Sequence, residues 1–266
     1  MVSNSTPAET GALGQPMFEL LLPQGVPPAL ALALIAVSFL TSALTAAFGI
    51  GGGIAMLGAL SAAVPPATIV AVHGVVQFGS NIGRAVIQRA HIVWPPVWRF
   101  LAGSIVGVLA GALLVTSLPV RALLGALGVF ILIMVWLPKP KIPGLERQGM
   151  IAGGLIASVL SMFVGAVGPF VQALLLPLGL EKRALVATHA AMQTAQHALK
   201  VAAFGLVGFS FADWLPLTLA MIASGLAGTL LGTALLERLP EKLFSIGLKV
   251  LLTLVALDLA RRSVLG

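Results

Sequence analysis

HGVVQFGSNIGR, residues 73–84, has a counterpart in HAAMQTAQHALK, residues 189–200, 116 positions further on. His73 pairs with His189, Gln77 with Gln193 and Arg84 with Lys200 without a gap, and Gly49 and Gly52 pair with Gly165 and Gly168 at the same spacing. All of these polar residues lie inside long apolar segments. Polar and cationic groups cost free energy in hydrocarbon and normally face a protein interior or a wet cavity. Two copies of one polar face therefore predict a central site built from two halves, the plan of many transporters.

Composition sets the solvent. Of 266 residues, 59% are hydrophobic and only 9% charged, with a mean hydropathy of +1.08; a soluble domain has about 25% charged residues. The apolar runs are continuous rather than alternating at period two, which excludes a β-barrel. The expectation is an all-α polytopic membrane protein embedded in a lipid bilayer. There is no cysteine, so disulfides, thiolate metal sites and cysteine catalysis are excluded. The net charge of +7 is spread through short loops, with no basic block interleaved with aromatics, so it reads as a topology signal and not as a nucleic-acid site.

Apolar segments run over 28–48, 53–64, 67–88, 98–117 and 121–137, and again over 149–165, 167–179, 183–207, 213–236 and 242–262. The chain divides into a polar N-terminal tail (1–26), a first membrane repeat (27–137), a cytoplasmic linker (138–148) and a second membrane repeat (149–266). The tail lacks Lys and Arg, so it does not read as a secretory signal. Five segments per half is an odd number, so the second half enters the membrane the other way up and the repeats are inverted. The second segment of each half is short or re-entrant. With the N-terminus outside, the inner connections hold Arg89, Lys139, Lys141, Arg147, Lys182, Arg183, Arg238 and Lys242. The outer side holds Arg121, with Arg261 and Arg262 at the C-terminus, a positive-inside bias.

At about 100° per residue, His73, Gln77, Ser80, Asn81, Arg84 and Gln88 share one helix face, as do His189, Gln193, Gln196, His197 and Lys200. Single polar residues between membrane helices act as glue worth about 1 kcal/mol or less. Glue needs no cations, and neither Arg84 nor Lys200 has a carboxylate nearby in sequence. The stripe reads as a cationic, donor-rich cavity wall for a small anion. Inversion places Arg84 and Lys200 at opposite mouths and brings Gln77 and Asn81 against Gln193 and His197 near the midplane. The glycine runs Gly49–Gly53 and Gly165–Pro169 each precede a short helix. They either let helix N-termini approach the anion, through Gly52, Gly53 and Gly168, or permit close helix packing. Gly103, Gly107 and Gly111, and Gly228 and Gly232, are stripes that serve either the fold or a homodimer. Trp94, Trp98, Trp136 and Trp214 lie at segment ends, as interfacial anchors do. The four histidines, without Cys, carboxylate or an HExxH pattern, form no metal site, and no cofactor motif or activated nucleophile is present, so the chain does not read as an enzyme.

The GxGGG element at 49–53, its counterpart at 165–169 and two related helical bundles in one chain resemble the TauE/SafE sulfite exporter family, also called the 4-toluene sulfonate uptake permease family. The second element departs from the pattern, with Gly168-Pro169 in place of Gly-Gly. The resemblance implies transport of sulfite or short organosulfonates across the inner membrane of a bacterium, export being the commonest assignment. The segments carry no buried Asp or Glu pair of the kind that binds coupling ions, which predicts a carrier driven by the membrane potential, with histidine protonation as the other coupling route. A passive anion channel and an uptake permease for organosulfonates are the alternative functions.

Overall fold

The computed structural model describes residues 22–23, 25–114, 125, 128–129, 131–133, 135–136 and 145–265. Among these, all regular structure is helical: α1 (Pro28–Phe48), α2 (Gly52–Ala63), α3 (Ile69–Ile87), α4 (Trp94–Leu114), α5 (Leu145–Val164), α6 (Gly168–Leu175), α7 (Lys182–Leu206), α8 (Leu215–Arg238) and α9 (Glu241–Leu265). Most of the tail, most of the segment expected over 121–137, and Arg121, Lys139 and Lys141 lie outside the described residues, as does the side chain of Arg147. The fragments of 125–136 that are described are helical and lie along α9, with Gly128 against the Ala256 carbonyl. The helix expected from residue 149 already starts at Leu145, inside the stretch read as linker.

α1, α4, α8 and α9 are long and apolar enough to cross a membrane. α3 and α7 are not among them, because each carries the polar stripe. These two pack against each other. The remaining principal contacts are reciprocal: α1 of the first half lies along α8 of the second, and α4 of the first lies along α5 of the second. α2 has 12 residues and α6 only 8, so at 1.5 Å per residue neither exceeds about 18 Å, well short of a bilayer core of about 30 Å.

Local chemistry sets these bounds. Pro28 opens α1, where a missing N–H costs nothing, and Gly49 closes it at φ 83°, its N–H bonded to the Thr45 carbonyl at 2.7 Å. α5 ends the same way: Gly165 has φ 79° and bonds to the Ser161 carbonyl at 3.1 Å. These are left-handed caps that glycine adopts without strain. Pro169 stands in the first turn of α6. Of the four tryptophans, Trp94 and Trp98 stack with centroids 5.5 Å apart and are exposed, and Trp136 is exposed. Trp214 differs from its expected role. The short turn Ala212–Trp214 directs its ring inward, and it packs in a core cluster with Leu60, Leu217 and Met221.

The glycine stripes serve the fold: a Cβ on Gly103 would lie 1.9 Å from the Ile151 carbonyl oxygen, and Gly154, outside the stripes, does the same from the facing helix. A Cβ on Gly154 would lie 2.0 Å from the Phe100 carbonyl oxygen across the α4–α5 contact, and one on Gly228 would lie 2.1 Å from that of Phe39 across α1–α8. Backbone cannot yield as a flexible side chain can. Gly154→Ala and Gly228→Ala are each expected to destabilise by about 1–3 kcal/mol, seen as a lower melting temperature of the purified protein in detergent.

Candidate functional site

The polar stripes of α3 and α7 turn inward and meet. His73, Gln77, Asn81, His189, Gln193 and His197 are all buried. The rings of His73 and His197, one from each half, stand edge to face with centroids 5.8 Å apart. Between the two helices lies a cavity of ≈ 20 Å³, room for about one or two waters. These six side chains line it, together with Gly53 and Gly168, so eight of the eleven residues expected at the site come together around one space. Thr45, Ile50, Gly51, Ile54, Ala166 and Pro169 complete the wall. The glycine runs at 49–53 and 165–169 signalled four of these; nothing in the sequence singled out Thr45 or Ile54.

Arg84, Lys200 and Gly52 stand behind the wall. Arg84 and Lys200 are both fully buried, not open to water at the mouths as their places near the stripe ends suggested. Each is one hydrogen bond from a cavity-lining residue or its neighbour. The Arg84 guanidinium donates to Asn81 Oδ1 at 3.0 Å and to Ser80 Oγ at 3.2 Å. Lys200 Nζ donates to the Gly165 carbonyl at 2.7 Å. Among the described residues, the only ion pairs join Asp258 to Arg261 and Arg262, so none of their carboxylates neutralises either buried cation. Gly52 gives its N–H to Thr45 Oγ1 at 3.1 Å, and a Cβ there would lie 1.9 Å from the Thr41 carbonyl. Its smallness serves the α1–α2 bend.

The repeat extends to hydrogen bonds that the sequence did not reveal. Ser42 and Ser80 pair at 2.9 Å, and their counterparts 116 positions on, Ser158 and Gln196, pair at 3.3 Å. In the short helices the register slips by one. His73 Nε2 bonds to the Gly53 carbonyl at 2.9 Å, whereas His189 Nε2 bonds to the Gly168 carbonyl at 3.0 Å. A Cβ on Gly53 would meet Gln77, and one on Gly168 would meet Gln193. The spatial partner of Gly168 is therefore Gly53 and not Gly52, and Pro169 takes the place of Ile54. That accounts for Gly53 and Gly168 lining the cavity while Gly52 does not.

A carbonyl only accepts, so both Nε2 atoms must carry the proton. In the neutral rings of His73 and His189 Nδ1 is then an acceptor, and among the described residues neither Nδ1 has a partner, nor do the buried His197 Nδ1 and Gln193 Oε1. His73 and His189 present acceptors to the cavity rather than the additional donors expected of them. The positive field comes from Arg84 and Lys200, and amide donors come from Gln77 and Gln193. No group of three or more metal-ligating side chains occurs among the described residues.

A family model described as "Sulfite exporter TauE/SafE" matches residues 34–259. No curated protein and no solved structure matches the chain.

Proposed function

Because the chain belongs to the TauE/SafE sulfite exporter family, a family of membrane transport proteins for sulfur-containing anions, we propose that it is a carrier that exports sulfite or a short organosulfonate across the inner membrane of a bacterium, holding the anion in the cavity between α3 and α7. The observation that carries this reading is the pair of buried cations, Arg84 and Lys200, one on each of the two helices whose polar stripes line the cavity, with no carboxylate bonded to either among the described residues. A buried unpaired charge is strongly unfavourable. A transported anion supplies the missing partner.

Alternating access is the proposed mechanism. The reciprocal contacts α1–α8 and α4–α5 support two halves in inverted orientation, 27–137 and 149–266, moving against each other around the site. A cavity of ≈ 20 Å³ is closed down, so the anion enters and leaves only as the halves move. The proposed topology has the N-terminus outside. In its favour, Lys182 Nζ donates to the Leu239 carbonyl, which brings Lys182, Arg183, Arg238 and Lys242 to one end of the molecule, the end expected to face the cytoplasm. A monoanion leaving a cell with 100 mV negative inside gains about 2.3 kcal/mol, roughly a fiftyfold gradient, so export requires no coupling ion.

Flux from sulfite-loaded liposomes tests the proposal. An inside-negative potential is expected to accelerate efflux, and unlabelled sulfite on the far side to stimulate exchange. Strict dependence on a pH gradient would replace the uncoupled mechanism with proton coupling. Rapid flux without trans-stimulation would make the protein a channel.

A further inference from the structure

The two glycine turns are covered from across the molecule, and the two covers differ. A Cβ on Gly49 would lie 2.7 Å from Gln172 Nε2, and a Cβ on Gly165 would lie 3.0 Å from Leu57 Cδ1. With the one-residue slip, Gln172 and Leu57 are spatial counterparts: each projects from the short helix of its own half onto the turn of the other. One cover is a leucine. The other is a fully buried amide whose Nε2 and Oε1 have no hydrogen-bond partner among the described residues. Burying an unbonded amide costs free energy, and the other half accepts an apolar side chain at the same place.

The turns themselves say what the amide is for. α1 and α5 end inside the protein, and the last carbonyls of a helix have no donor of their own and carry partial negative charge. At the end of α5, Lys200 Nζ supplies the donor, 2.7 Å from the Gly165 carbonyl. At the end of α1, the counterpart of Lys200 is Arg84, which is turned to Ser80 and Asn81 on its own helix. The donor that lies against Gly49 is Gln172.

We infer that Gln172 is a positioning residue. Its Nε2–H serves the terminal carbonyls of α1, directly after a small rotation of the amide or through one water, and so fixes the Gly49–Gly53 turn against the cavity. It does for α1 what Lys200 does for α5, and it leaves Arg84 free to act on the anion. The inference rests on the reading of the cavity as an anion site.

Gln172→Leu is the test, chosen because leucine already stands at the counterpart position. The chain has no cysteine, so Ile50→Cys places a single thiol in the turn, at a residue that is 1% exposed. Gln172→Leu is expected to melt no lower than the parent protein and to raise the sulfite concentration for half-maximal flux about tenfold, the worth of one hydrogen bond, with little change in maximal rate. It is also expected to make the Ile50→Cys thiol reactive toward maleimide, and Gln172→Asn, which keeps the amide, to recover part of the affinity. If Gln172→Leu does not fold, Gln172→Met, of similar length and without an amide, is read in the same way. Unchanged half-saturation and an unreactive thiol in the amide-free variant would overturn the inference. Absence of sulfite binding by the parent protein would instead remove the anion site, and the thiol comparison would still decide the role of Gln172.

Discussion

Arg84→Gln is expected to lower sulfite flux by about 30- to 150-fold while leaving the anion-free protein as stable as before or more so. The two halves of this expectation have separate causes. Arg84 acts on the anion from behind the wall, through its positive field and through Asn81, which it holds at 3.0 Å, and losing a charged partner of this kind costs about 1.5–3 kcal/mol. The folded protein loses nothing comparable. Arg84 is 0% exposed and has no carboxylate partner among the described residues, so the native state carries the desolvation of a cation without its compensation. Replacing buried charge by neutral groups is often neutral or stabilising, and a glutamine amide can still reach Asn81 or Ser80. Melting temperatures with and without sulfite, taken beside flux, check both halves. The parent protein should be stabilised by sulfite through mass action, and the variant should not. A variant that transports normally would show that Arg84 does not act on the anion, and one that loses stability and flux together would show that Arg84 is structural.

Gly52→Ala is expected to have the largest effect on folding. Its Cβ would lie 1.9 Å from the Thr41 carbonyl oxygen and 2.2 Å from Thr45 Oγ1, so α1 and α2 must separate and the bond from Gly52 N–H to Thr45 Oγ1 is lost. The penalty is about 3 kcal/mol or more, enough to abolish a stable protein. Gly58→Ala, on the same helix, is the control. No atom lies within 4 Å of its Cβ position, and alanine in a helix interior is favoured over glycine by about 0.5–1 kcal/mol. Yield and melting temperature of the two variants should move in opposite directions. Equal behaviour would mean that the α1–α2 bend tolerates more space than its geometry allows.

Much of this molecule was legible in the chain because two signals are long and periodic. The polar stripe recurs every three to four residues, which puts His73, Gln77, Asn81 and Arg84 on one helix face, and the 116-residue repeat applies the same reading to His189, Gln193 and Lys200. The breaks at Gly49 and Gly165 follow from glycine ending an apolar run, while their left-handed geometry came only with the structure. Depth was not legible. Arg84 and Lys200 are long enough to reach a surface, and only packing shows that both turn inward. The slip between Gly52 and Gly53 was hidden as well, because a gapless repeat aligns Gly168 with Gly52, and only the carbonyls chosen by His73 and His189 reveal the true partner. Trp214 reads as an interfacial anchor by position, and a single short turn sends it into the core. Gln172 carried no signal: one glutamine in an apolar helix gains meaning only from the glycine it covers.

Equilibrium binding of radiolabelled sulfite to the purified protein, compared with Gln77→Leu and Gln193→Leu, bears most directly on a shared site between the halves. Saturable binding of one anion per chain, weakened by either substitution, is the expected result. Saturable binding indifferent to both substitutions, or none at all, would place the anion elsewhere and contradict a central cavity formed jointly by α3 and α7.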